Sequence, residues 1–198
     1  TQQALGDLSG ASRAFERSLQ ISEKLVALTG ESPQALRDVS VALSNVGQTQ
    51  QALGDLSGAS HAFERSLQIS EKLVALTGES PQALRDVSVS LNNVGKTQQA
   101  LGDLSGASRA FERSLQIREK LVALTGESPQ ALRDVSISLN NVGQTQQALG
   151  DLSGASRAFE RSLQIREKLV ALTGESPQAL RDVSISLNNV GQTQQALG

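Results

Sequence analysis

The sequence has no cysteine, methionine, tryptophan or tyrosine. Without cysteine it can build neither a disulfide framework nor a thiolate metal site. Its aromatic residues are four phenylalanines, and it has one histidine, His61. A core must therefore be assembled from Leu, Val, Ile and Ala in many small layers. No stretch approaches the roughly 18 consecutive apolar residues of a membrane span, and no signal peptide is visible. Charge of one sign is lacking too: 18 basic against 20 acidic residues leave a net charge of −2. That balance provides no electrostatic footprint for nucleic acid or for a membrane surface. These absences lead to the expectation of a cytoplasmic protein with no cofactor and no metal.

What the chain does have is repetition. Thr1, Thr49, Thr97, Thr145 and Thr193 each open the same string, TQQALG, and the last copy stops after it. The copies are 1–48, 49–96, 97–144 and 145–192, with a partial copy at 193–198. A block of this size cannot bury an apolar face alone, so copies must stack on their neighbours into a solenoid. The expectation is a single array over 1–198. Because the sequence opens within the motif, it reads as a fragment of a larger protein.

One copy can be read in detail. Ser128-Pro129 is a helix start, since Ser caps and Pro suits the first helical position, where its missing N–H costs nothing. Leu132, Val135, Leu139, Val142, Gln146 and Leu149 then recur at steps of three and four, one face of a helix. Gly150 supplies a left-handed stop, and Asp151 can cap the next helix at once. The second stripe is Leu152, Ala155, Phe159, Ser162, Ile165, Leu169 and Leu172, closed by Gly174. Each helix should be roughly 30 Å long at about 1.5 Å per residue. The short loops make neighbours antiparallel. Gly143 and Gly154 lie inside the predicted helices, where close packing is the expected reason for them.

These residues resemble the tetratricopeptide repeat family. Leu139 stands at the first large position, Val142-Gly143 at the Leu-Gly pair and Gly150-Asp151 at the turn. Ala155 takes a small position, Phe159 the aromatic one and Ser162 the second small one. The strings LNNVG (139–143) and LQIREKL (163–169) are similar to kinesin light chain-type repeats and their bacterial relatives. The 48-residue period exceeds the family's usual period of about 34, and Gln146 stands where an aromatic is common. A buried Gln without a partner there would be costly. The resemblance implies an all-α, right-handed solenoid of antiparallel helical hairpins. It also implies a concave face, lined by the first helix of each copy, that binds a protein or an extended peptide.

On that face the candidate ladder in the four copies is Arg37, Ser44, Gln48 and Gln51; Arg85, Asn92, Lys96 and Gln99; Arg133, Asn140, Gln144 and Gln147; and Arg181, Asn188, Gln192 and Gln195. Amides can hydrogen-bond the backbone of an extended peptide, and Arg can clasp a carboxylate. An extended segment with some acidic character, or one with a free carboxylate, is the expected partner. The copies differ at six columns, among them those of Ile137, Asn140 and Gln144 on this stripe. The columns of Arg157 and Arg166 are expected to be exposed on the second helix, so that the differences avoid the core.

Other motifs carry less. His61 stands where its siblings are Arg13, Arg109 and Arg157, which suits surface drift and not a general base; the expectation is that the chain is no enzyme. Glu160 and Glu167 have the spacing of a solvated face. GDLSGAS (150–156) lacks the Lys and spacing of a phosphate-binding loop and reads as turn and cap. Finally, the end helices at 7–28 and 177–197 lack capping repeats. Head-to-tail self-association through them is the alternative role, with residues 1–6 of one molecule competing with 193–198 of the next.

Overall fold

The computed structural model describes residues 2–198, with side chains from residue 7 onward. Its elements are α1 (Gln2–Thr29), α2 (Pro33–Ala52), α3 (Leu56–Thr77), α4 (Pro81–Ala100), α5 (Leu104–Thr125), α6 (Pro129–Ala148), α7 (Leu152–Thr173) and α8 (Pro177–Leu197). Among the described residues there is no strand. We call α2, α4, α6 and α8 the A helices, and α1, α3, α5 and α7 the B helices. They form two compact units, Thr1–Gly102 and Asp103–Gly198. Within each unit every helix packs on the next in the chain.

Local chemistry sets the boundaries. The hydroxyl of Ser128 accepts the amide of Ala131 at 3.1 Å, with Pro129 opening α6. The carboxylate of Asp151 accepts the amide of Gly154 at 2.8 Å and so starts α7. Between them Gly150 takes φ +84°, a left-handed conformation that side chains other than glycine's resist. The amide of Asp151 closes the turn on the carbonyl of Gln146. Two short segments of this kind therefore fold each copy into a hairpin. Its antiparallel course shows in α2 and α3, where Gly47 meets Phe63 while Ser40, seven residues earlier, meets Ser70, seven residues later.

The core of the second unit gathers Ala107, Phe111 and Leu115 of α5, Val135, Leu139 and Val142 of α6, and Ala158 of α7. Glycine is what brings A and B helices this close. A methyl group at Gly143 would lie 2.7 Å from Cε1 of Phe159, and at Gly47 2.7 Å from Cε1 of Phe63. The expected packing reason for Gly143 is therefore present. Gly154 has a similar one, since a methyl there would lie 2.1 Å from Oδ2 of the capping Asp151.

Three expectations need correction, and one falls outside the described side chains. Leu149 and Leu172, placed on the apolar stripes, are exposed. Both lie at helix ends. The tail of the first copy does not break at Gly6: α1 runs unbroken from Gln2, where continued intrahelical bonding replaces the turn of the other copies. The side chains of residues 1–6, on which the expected end competition falls, lie outside the described ones. Lastly, the differences between copies do not avoid the core. The column of Ala42, Ser90, Ser138 and Ser186 is buried in all four copies.

That column belongs to a polar seam between A and B helices. In the first unit the hydroxyl of Ser40 touches those of Ser66 at 2.9 Å and Ser70 at 3.2 Å. The hydroxyl of Ser90 lies 3.1 Å from that of Ser70. Buried hydroxyls are costly unless bonded; in the first unit they bond one another, whereas Ser138 and Ser186 of the second keep buried hydroxyls with no partner on the protein. Serine is small enough to sit where helices cross closely.

Candidate functional site

The A helices carry the predicted ladder, and the structure sorts it into three groups. Gln48, Arg85, Lys96, Arg133, Gln144, Gln147, Arg181, Asn188, Gln192 and Gln195 are exposed. Arg37, Ser44, Gln51 and Gln99 are half-buried. Asn92 and Asn140 are buried. Their column turns into the polar seam, as Ser44 shows by placing its hydroxyl 3.1 Å from that of Ser66. Only on α8, which packs on α7 and on no later helix, is the column open, at Asn188.

One column of this face is apolar and open in every copy. Val41, Val89, Ile137 and Ile185 are 40–55% exposed. In each copy it sits one turn after Arg (37, 85, 133 or 181) and two turns before Gln or Lys (48, 96, 144 or 192). Positions i, i+4 and i+11 lie along one side of a helix. The face thus alternates cation, branched aliphatic and amide. Within the first unit α2 and α4 approach more closely than α1 and α3 do. On the B side a cleft of about 220 Å³ opens over Leu36 and Val39, between α1 and α3.

Charges on the two sides are organised differently. On the B side, exposed ion pairs step from one B helix to the next: Arg65 to Glu23 at 2.7 Å and Arg161 to Glu119 at 2.5 Å. On the A side, Nε of Arg37 donates to Oδ2 of Asp86 at 2.9 Å, joining α2 to α4. The amide of Gln82 donates to the other oxygen of Asp86 at 2.9 Å.

Sequence reading missed the guanidinium groups of the seam. Arg118 and Arg166 replace Ser22 and Ser70 in the later copies and are not exposed, as that column was expected to be; Arg157 is exposed as expected. Nη1 of Arg118 donates to the carbonyl of Asp134 at 2.6 Å, and Nη1 of Arg166 to that of Asp182 at 2.5 Å. Burial lowers the pKa of both guanidinium groups, and the neighbouring Asp134 and Asp182 charges oppose that shift. Arginine reaches the next helix on a long stem that packs while its head finds a carbonyl. The change from Ser to Arg between copies was the one available signal. The Gln146 side chain is the costly case foreseen: its Oε1 is buried with no partner on the protein, as are those of Gln50 and Gln98.

Among the described residues no three His, Asp or Glu side chains gather as metal ligands. No helix among them is long and apolar enough to cross a membrane.

Comparison with known proteins bears on the same elements. The tetratricopeptide repeat family profile matches residues 87–123 and 135–171. No curated protein sequence matches. A crystal structure from Podosopora anserina, described as a kinesin light chain with nearly identical TPR-like repeats, superposes with a TM-score of 0.66. It is 23% identical, over 98% of this chain and 84% of that one. The crystal structure of BtubC (BKLC) from P. vanneervenii gives a TM-score of 0.51 at 18% identity, over 96% of this chain and 84% of that one. At such identities the likeness concerns the fold. Repeats of this family mediate protein–protein interaction and scaffolding. The matched stretches recur almost unchanged along much of the rest of the chain, and its helices pair in the same way, so the chain is similar to tetratricopeptide repeats over its length.

Proposed function

We propose that the A-helix face of each unit binds a partner protein or an extended peptide, as a scaffold segment with no chemistry of its own. The observation that carries this reading is the open column of Val41, Val89, Ile137 and Ile185. The same side of each A helix adds amides at Gln48, Gln144 and Gln192, which can meet a peptide backbone. A partner retained by the chain and released by V89D together with I137D would support the reading. Retention at undiminished affinity, with the helical signal intact, would overturn it. Asn92 and Asn140 are poorer probes, since both are buried.

A second reading, self-association, rests on α8. Leu180 and Leu187 are 48% and 51% exposed, while the same positions of α6, Leu132 and Leu139, are 5% and 2% exposed. In α6 these residues lie in the A–B seam. Residues 7–29 differ from residues 151–173 of the α7 segment at one position, Ser22 for Arg166. A second molecule's α1 could therefore lie on α8 much as α7 lies on α6, giving a heterologous, head-to-tail contact. Light scattering at millimolar concentration tests it. Assembly abolished by L187E supports the contact, and a strict monomer ends it.

A further inference from the structure

Two trios of helices in this chain carry the same A-side arrangement with one exchange. In the first unit the trio is Arg37 on α2, Ser70 on α3 and Asp86 on α4. In the second it is Arg133 on α6, Arg166 on α7 and Asp182 on α8. Each trio lies within its own unit. With Ser70 between them, Arg37 is half-buried and its Nε reaches Oδ2 of Asp86 at 2.9 Å. With Arg166 between them the outcome changes. Arg166 seats its Nη1 on the carbonyl of Asp182 at 2.5 Å. Asp182 still takes the amide of Gln178 at 2.8 Å, as Asp86 takes that of Gln82. Arg133, however, is exposed, and among the described residues no carboxylate forms a salt bridge with it.

Elementary electrostatics accounts for the difference. One carboxylate facing one guanidinium draws it in. A second guanidinium approaching the same carboxylate meets the like charge of the first. Burial sharpens this, because a half-buried charge is poorly screened.

We infer that Arg166 is a positioning residue: bonded to the backbone carbonyl of Asp182, it sets its positive charge beside that residue from within the seam, and so leaves Arg133 unpaired on the A face to clasp a carboxylate of the partner. In the first unit Ser70 allows Asp86 to hold Arg37, and that position is closed to a ligand. The ligand class is thus a carboxylate group, from an acidic side chain or a chain terminus, received in the second unit. This carboxylate assignment rests on the proposed binding role of the A face, whereas the state of Arg133 does not.

The chain tests both parts. Phenylglyoxal labels accessible, unpaired arginines, and a labelled arginine is skipped by trypsin. The skipped peptides over Arg37, Arg85, Arg133 and Arg181 all differ in sequence or length, so mass spectrometry follows each copy separately. We expect Arg133 to react several-fold faster than Arg37. R166S should slow Arg133 to the rate of Arg37, and S70R should speed Arg37. Adding D182N to R166S should restore fast labelling of Arg133. Both single exchanges install a residue already native at that column, so the fold tolerates them, and circular dichroism checks it. Labelling of Arg133 unchanged by R166S would overturn the inference.

The ligand arm uses fluorescein-labelled oligoglutamate with an amidated end, oligoglutamine, and oligoglutamine with a free terminal carboxylate. Tighter binding of either carboxylate-bearing probe than of amidated oligoglutamine, lost in R133A and weakened in R166S, supports the clasp. Which probe it is tells side chain from terminus. Equal binding of all three overturns the carboxylate assignment while leaving the A-face reading to its own test with V89D and I137D.

Discussion

Gly143 and Gly191 occupy the same column of two copies, yet their surroundings differ. A methyl at Gly143 would meet the buried ring of Phe159 at 2.7 Å, and a methyl at Gly191 would meet nothing within 4 Å. Overpacking a core costs about 1–3 kcal/mol, while replacing a mid-helix glycine with alanine gains about 1 kcal/mol. G143A should therefore lose stability in urea titration, and G191A should hold or gain about 1 kcal/mol. F159A, which empties a fully buried site, should cost about 3–5 kcal/mol. The role of Gly143 was legible because a glycine recurring inside a helical stripe has few other uses. Arg166 was not legible. On a helical wheel its column looks exposed, and only a neighbouring carbonyl within reach of a long side chain turns it inward. Asn140 was misread for a related reason: spacing gives the side of a helix but not how far the next helix overlaps it.

The helices themselves were read almost to the residue, since their ends are set by nearby chemistry. Ser-Pro, Gly-Asp and Gly-Glu-Ser are instructions that act within a few residues, and the structure obeys them in α2 to α8. D151A should remove the cap of α7 and cost about 1 kcal/mol, read from the shift of the thermal midpoint. The pairs between B helices should matter less. Arg161 and Glu119 are 56% and 39% exposed at the side chain, and such pairs contribute about 0–1 kcal/mol. R161A should thus move the midpoint little, and salt should shrink even that difference. If the loss were several-fold larger than that range, the pair would have to be part of a coupled network.

At the scale of the whole molecule, stability should scale with the number of stacked hairpins. Deleting residues 55–102 removes α3 and α4 and joins Gly54 to Asp103, the Gly-Asp junction that internal copies already use. The shortened chain should fold with the same helical signal per residue and melt at a lower temperature. An unchanged midpoint would mean that neighbouring hairpins do not support one another. The repeat period made this architecture evident before any coordinate. The polar seam was hidden because serine in a helical stripe reads equally as a small spacer or as a hydroxyl with work to do.

The near-identity of the copies has a consequence for how the chain finds its shape. α4 and α6 differ only at Val89/Ile137 and Lys96/Gln144, so a newly formed α3 meets two almost equivalent mates. A slip by one full copy leaves nearly every apolar contact intact and misplaces chiefly the seam position occupied by Ser70 in one unit and Arg118 in the other. Those two side chains act as internal addresses, and S70R would erase the distinction between them. Refolding of that variant should branch into long-lived, mispaired species that the parent chain avoids.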